Sequence, residues 1–330
     1  MKKLLFVLAL LALGLGLAGK TVQWSRQPIL PLDATQPPKE FSIKPGSGVR
    51  GTAQQIAEAG IPLNPILFEL FARATGQASK LKAGDYELAT GTTPAELIGH
   101  LVRGDFVQKS LVIIEGWTFR QMRAAIAAHP SLTHDTAGLS EQQLLQKIAA
   151  NYAVAEGLFF PDTYLFASGT SELQIFRRAH TLMLKRLAEK WEKRDTAVPY
   201  KTPYEALIMA SIVEKETGQK SERGLIAGVF VNRLRRGMML QTDPTVIYGM
   251  GDLYQGKIHK RDLLTDTAYN TYTRTGLPPS PIALPGAAAI EAALQPVQTE
   301  ALFFVSRGDG TSHFSSNLGE HNRAVNKFQR

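Results

Sequence analysis

Pro203-Tyr-Glu-Ala-Leu-Ile-Met-Ala-Ser-Ile-Val-Glu-Lys-Glu-Thr217 opens on a proline, which suits the first turn of a helix. Ile208, Met209, Ile212, Val213 and Glu216 then fall at i, i+1, i+4, i+5 and i+8. At 100° per residue they share one face, so Glu216 continues an apolar stripe. A carboxyl among apolar neighbours has its charged form disfavoured and its pKa raised, which suits a general acid near neutral pH. Glu214 lies about 200° round, on the side of Ala210 and Ser211. A glutamate in a last helical turn commonly reaches solvent or pairs with a lysine, here Lys215 or Lys220. Helical phase alone leaves that alternative open.

Downstream, Ser221-Glu-Arg-Gly224 starts another helix, with Leu225, Val229 and Leu234 apolar and Gly237 as its end signal. Asn232 and Arg233 are expected on its surface. Gln241-Thr-Asp-Pro-Thr245 reads as a helix start, with Asp243 as N-cap and Pro244 at the first helical position. Asp243 can also point a carboxylate into a cleft, and the two roles are compatible. Tyr269-Asn-Thr-Tyr272 and Gly276-Leu-Pro-Pro279 form a loop rich in aromatic and amide groups. It suits either a carbohydrate cleft or a proline-buttressed surface. Phe303–Val305 reads as a strand, with His313, Asn317 and His321 beyond it. The two histidines lack a third ligand at suitable spacing, so no metal is expected. There is no phosphate-cradling loop, Gly-x-Ser-x-Gly elbow or His-Glu-x-x-His, and Ser211 and Ser280 have no evident base. Acid catalysis by a glutamate is the enzyme reading that remains.

Upstream, small strand–glycine–helix themes recur. Phe41–Lys44 and Asp85–Leu88 read as strands, and a helix is expected around Thr52–Ala59. Thr93 and Pro94 open a further helix whose apolar face is Leu97, Ile98, Leu101 and Val102. Leu111–Ile114 reads as a strand that turns into a helix through Met122 and Ile126, and Thr170/Ser171 cap a long helix through Trp191. The class is α+β, with a mainly helical C-terminal part. At the start, Lys2 and Lys3 precede the uncharged stretch Leu4 to Gly19. This reads as an uncleaved membrane anchor with Trp24 at the interface and the body outside the inner membrane. Cleavage after Ala18 is the alternative. Pro28, Pro31, Pro37 and Pro38 mark an extended spacer. The expected boundaries are anchor 1–24, Pro-rich linker 25–40, small α+β module 41–106, connecting α/β region 107–155 and catalytic domain 156–330.

The chain has 330 residues, which points to more than one domain. It has no cysteine, which excludes disulfides, thiolate metal sites and a cysteine nucleophile. A net charge of +8 suits nucleic acid, an anionic membrane or an acidic polymer. Basic runs no longer than Arg177–Arg178 or Arg235–Arg236 argue against nucleic acid.

Ala210-Ser-Ile-Val-Glu-Lys-Glu-Thr217, Val231-Asn-Arg-Leu234, Leu240-Gln-Thr-Asp-Pro-Thr-Val-Ile-Tyr-Gly249 and Thr267-Ala-Tyr-Asn-Thr-Tyr272 resemble the endolytic murein transglycosylase (YceG-like) family. Gly276-Leu-Pro-Pro279, Glu156-Gly with Pro161-Asp-Thr-Tyr164, and Asn317 with His321-Asn322 fit as well. The module at 41–106 is loosely similar to LysM-type peptidoglycan-binding units. The resemblance implies cleavage within peptidoglycan glycan strands, between N-acetylmuramic acid and N-acetylglucosamine, leaving 1,6-anhydro ends and limiting nascent strands. It implies Glu216 as acid and base, since Glu216-Thr217 fits the Glu-Ser pair of other transglycosylases, with Glu214 as second choice. The matched motifs place Gln241, Asp243, Thr245 and Tyr248 at the sugar, together with Tyr269, Asn270, Tyr272 and Asn317. No metal or organic cofactor is required, and partnership with peptidoglycan synthases is implied. A non-catalytic scaffold and a hydrolytic muramidase relying on Asp243 are the competing readings.

Overall fold

The computed structural model describes residue 16 and residues 19–33, 35–216 and 219–329. The chain forms two compact units. One runs to Ser110 and includes Leu165–Thr170; the other is Leu111–Tyr164 with Ser171–Arg330.

In the first unit the strands Lys39–Ile43 and Gly84–Leu88 pair antiparallel, with Phe41 opposite Tyr86. Their rings stack at 5.5 Å between centroids. The helices Val49–Glu58, Pro65–Ala74 and Pro94–Arg103 accompany them. Ile56, Phe68, Leu97, Ile98 and Leu101 are fully buried, and burying each such side chain contributes about 1.5–3 kcal/mol. Thr93 caps the third helix as the sequence suggests, in a reciprocal box with Glu96. The Pro65–Ala74 helix escaped the sequence reading, although Asn64 caps it and Pro65 opens it. The linker at 25–40 is not a free spacer throughout. Ile29 N–H donates to Thr92 O at 2.9 Å, Gly91 N–H donates to Leu30 O at 3.1 Å, and Leu30 joins the core. Proline keeps this segment extended, and extended backbone offers groups that a neighbouring turn can satisfy. Most of the proposed anchor at 1–24 lies outside the described residues. Among the described residues no helix is long and apolar enough to cross a membrane.

In the second unit the Pro203–Glu216 helix is central. It packs against Glu172–Trp191, Arg223–Arg235, Asp243–Met250 and Ala287–Leu294. Every residue from Ala206 to Val213 is buried. The single apolar stripe expected from the sequence is therefore corrected: this helix is covered on all sides, so phase alone does not separate Glu216 from Glu214. The next helix, Arg223–Arg235, approaches a loop closely at Gly228, where an added Cβ would lie 2.5 Å from Val297 O. Strands Phe303–Ser306 and Ser312–Ser315 form a hairpin with Val305 opposite His313. The Leu318–Phe328 helix packs on this hairpin, and Phe230 meets Phe304 edge-on at 5.9 Å. The class is α+β, with small two-stranded sheets among many helices.

Candidate active site

Glu216 is the last residue of the central helix. There the unsatisfied carbonyls already disfavour negative charge. Its side chain opens on a cleft of about 960 Å³ that Arg233, Gln241, Asp243 and Tyr272 also line. The Thr242 hydroxyl donates to Glu216 Oε1. Burial pushes the carboxyl up to about 7 and the neighbouring Asp243 charge adds to this, while the Thr242 hydrogen bond and Arg233 pull it down. Such a group exchanges a proton readily at neutral pH.

The segment Gln241–Asp243 delivers the partner groups. Gln241 has φ 51°, in the left-handed region. For a non-glycine residue this costs on the order of 1–3 kcal/mol and clusters at functional sites. Its N–H donates to Thr271 O at 3.1 Å. Arg233 fixes the approach from below: it is buried, and it donates to the carbonyls of Leu302 (2.6 Å), Met239 (3.1 Å) and Leu240 (2.8 Å) and to Gln241 Oε1 (3.3 Å). Asn232 donates to Thr299 O at 2.7 Å and to Ala301 O at 3.1 Å. The expectation that Asn232 and Arg233 lie on the surface is corrected. Both satisfy loop carbonyls that no strand or helix partners. The expectation that Asp243 caps a helix is corrected too. Thr242 holds the N-cap position without a side-chain cap bond, and Asp243 begins the helix. The exposed Asp243 Oδ1 instead accepts from the Tyr272 hydroxyl at 2.6 Å.

The other residues singled out in the sequence stand behind this wall or away from it. Thr245 is fully buried, bonded to Thr242 O at 2.7 Å and to Thr271 Oγ1 at 2.9 Å. Asn270 is fully buried; its amide donates to the carbonyls of Asp262, Leu263 and Thr265 at the end of a short helix, and its oxygen accepts from Tyr272 N–H at 2.8 Å. These two residues shape the wall rather than face the cleft. Tyr269 pairs with Ser280 at 2.7 Å, and its ring meets Tyr248 edge-on at 4.8 Å. Asn317 caps the last helix through Glu320 N–H. Thr217 lies outside the described residues. Glu214 is committed elsewhere: Oε1 accepts from Arg223 at 2.7 Å and Oε2 from Gly286 N–H at 2.8 Å. Burial raises its pKa, against the Gly286 bond and the Arg223 charge. Two further donors of Arg223, Nε and Nη1, are buried without partners. The pair thus braces two helices at a desolvation cost.

One acid was missed as a titrating group. Glu156 is buried, accepts from Phe119 N–H at 2.9 Å and Tyr248 OH at 3.1 Å, and is pushed up to about 7 by burial. The glycine after it was the available signal. Gly157 has φ 79°, and an added Cβ would lie 2.4 Å from Pro281 Cβ. That turn folds Glu156 inward.

The sequence matches the YceG-like family over residues 41–327. The chain belongs to the YceG-like family. A Bacillus subtilis (strain 168) protein named endolytic murein transglycosylase is 30% identical over 305 residues, covering 87% of this chain and 84% of that relative. A Streptococcus pneumoniae (strain D39) protein of the same name is 29% identical across 97% of this chain, and the chain spans 63% of its length. The crystal structure of a YceG-like protein from Listeria monocytogenes superposes with a TM-score of 0.54 at 29% identity, covering 88% of this chain and 99% of that one. The family resemblance carried by the motifs is borne out.

Proposed function

We propose that this YceG-like protein is an endolytic peptidoglycan lytic transglycosylase with Glu216 as its acid and base. The observation that carries the reading is a desolvated carboxyl, poised near neutrality, opening on a cleft of about 960 Å³ lined by amide, hydroxyl and aromatic groups. The murein transglycosylase names of the Bacillus and Streptococcus relatives supply the substrate class. In the reaction, protonated Glu216 gives its proton to the glycosidic oxygen between N-acetylmuramic acid and N-acetylglucosamine, and the C1–O bond breaks. The resulting carboxylate takes the proton of the muramic acid 6-hydroxyl, whose oxygen bonds to C1. No water is consumed, and the product ends in 1,6-anhydro-N-acetylmuramic acid. The nucleophile belongs to the substrate, so its effective concentration is high and a second carboxylate is not required.

Asp243 favours a second reading. It lines the same cleft and is near enough to raise the Glu216 pKa. If it activated a water, the enzyme would be a muramidase. Digestion of purified peptidoglycan by wild type and Glu216→Gln, with products weighed by mass spectrometry, separates these outcomes. Anhydro ends lost in the variant support the transglycosylase. Products one water heavier point to hydrolysis through Asp243. Cutting by the variant at the wild-type rate overturns the assignment of Glu216, and binding without products favours a scaffold.

The uncharged stretch after Lys2 and Lys3 supports a single-pass inner-membrane anchor with the catalytic unit outside. We assign the first unit, with its own core and paired strands, as a LysM-like module that holds glycan. Work beside peptidoglycan synthases, limiting the length of new strands, is implied by the family resemblance, and we propose it for this chain.

A further inference from the structure

The cleft has another wall, and one of its side chains carries an unused hydrogen-bonding group. His321, in the first turns of the Leu318–Phe328 helix, lines the same cleft as Glu216. Its ring stacks on Phe303, with centroids 5.1 Å apart and planes at 25°. The Arg233 guanidinium lies 5.0 Å from the centre of that Phe303 ring. His321 Nδ1 is buried and has no hydrogen-bond partner. Packing, rather than a hydrogen bond, therefore sets the ring's orientation, and Nε2 is its open edge.

This arrangement selects one form of the imidazole. A proton on Nδ1 would be a buried donor without an acceptor, which costs about 1–3 kcal/mol. The doubly protonated ring carries that same penalty and adds repulsion from Arg233. Burial, and then Arg233, hold the His321 pKa below its usual value. The neutral tautomer with its proton on Nε2 avoids the repulsion and leaves a lone pair rather than an N–H stranded at Nδ1. Such a group suits an uncharged acceptor oxygen. The cleft around it is furnished in kind, with Gln241, Thr311, Ser312 and Asn322 offering amides and hydroxyls.

We propose that His321 is a substrate-binding residue that presents an Nε2–H donor to a neutral sugar oxygen, a hydroxyl or an acetamido carbonyl, in the cleft that Glu216 serves. The Phe303 ring beneath holds the donor in place. This rests on the glycan-cleaving reading of the cleft, and it is distinct from the acid step.

The test measures binding of peptide-free murein glycan strands to the full chain carrying Glu216→Gln, so that the strands survive. His321→Phe is then added to keep the stack and remove the donor. His321→Gln is added separately, since its amide nitrogen falls near the position of Nε2. Losing one neutral hydrogen bond weakens binding roughly three- to tenfold. That loss is expected for the phenylalanine variant, with an unchanged melting temperature and with binding largely retained by the glutamine variant. In the chain with Glu216 intact, His321→Phe should raise KM while leaving kcat near wild type. Binding by the phenylalanine variant as tight as its parent's, or equal weakening in both variants, overturns the proposal and leaves the function standing. A parent that binds no glycan sinks both.

Discussion

Replacing Thr242 by valine removes one hydroxyl, nearly keeps the side chain's shape, and should move the acid rather than destroy it. That hydroxyl is the donor to Glu216 Oε1. It holds down a pKa that burial drives up to about 7. A hydrogen bond to a charged group is worth about 1.5–3 kcal/mol, and one pKa unit corresponds to about 1.4 kcal/mol. Its loss should therefore raise the Glu216 pKa by roughly 1–2 units. Protonated Glu216 begins the reaction, so kcat/KM falls as pH climbs through its pKa. The fall is expected near 7 in the wild type and at roughly 8–9 in Thr242→Val. The assay is the pH profile of kcat/KM for release of soluble fragments from purified peptidoglycan, with circular dichroism at each pH to confirm folding. A folded Thr242→Val enzyme whose alkaline limb stays in place, or moves to lower pH, would refute the assignment of this hydrogen bond to the working acid.

Glu216→Gln should lower the rate at least about a hundredfold. It should also stabilise the fold above pH 7, because the buried carboxylate it removes opposes folding by about 3 kcal/mol there; melting curves at acidic and alkaline pH check this. Glu214→Gln should behave in the opposite way. It leaves Arg223 buried without its charge partner and should cost about 3–5 kcal/mol of stability, while folded protein in the cold keeps its cutting activity. Glu156 has its folded pKa raised to about 7 from 4.5. Its contribution is thus fully present below the unfolded value and lost as pH rises through the folded one, and Glu156→Gln should flatten the decline in melting temperature over that window. Gly157→Ala combines a positive φ with a clash against a rigid proline ring and should cost at least about 2 kcal/mol by chemical denaturation.

The proposed acid and the wall facing it were legible in the sequence, because local chemistry marks both: a carboxylate ending an apolar helix, and a Thr-Asp-Pro start followed by an aromatic loop. The placing of the N-cap at Asp243 missed by one residue, because Gln241, with φ 51°, is tied to Thr271, 30 residues away, while the reading of Asp243 as a cleft carboxylate agrees with the lining of the cleft. Arg233 and Asn232 looked like surface residues because composition favours that for any charged or amide side chain in a helix. Their partners are carbonyls 67–69 residues away for Asn232, and both nearby and 69 residues away for Arg233. The choice between Glu214 and Glu216 was not legible from periodicity, since the helix is buried all round. Hydrogen-bond partners favour Glu216, since both Glu214 oxygens are committed to Arg223 and Gly286. His321 entered the sequence reading as a failed metal ligand and as part of the family motif with Asn322, but with no role of its own, because the stack on Phe303 joins a strand to a helix that the sequence reading did not assign.

The groups that set the acidity of Glu216 arrive from separate stretches of chain: Arg233 from one helix, Thr242 and Asp243 from the start of another. Before those stretches dock, Glu216 is an ordinary solvated glutamate. At pH 7 such a group is protonated only about 0.3% of the time, against about half once the fold closes around it. The lytic function is thus written into assembly itself. With Glu216 as the proposed acid, an unfolded chain holds on the order of a hundredfold fewer protonated carboxyls at pH 7 than the folded one, so the packing that arms the site also keeps it idle until it forms.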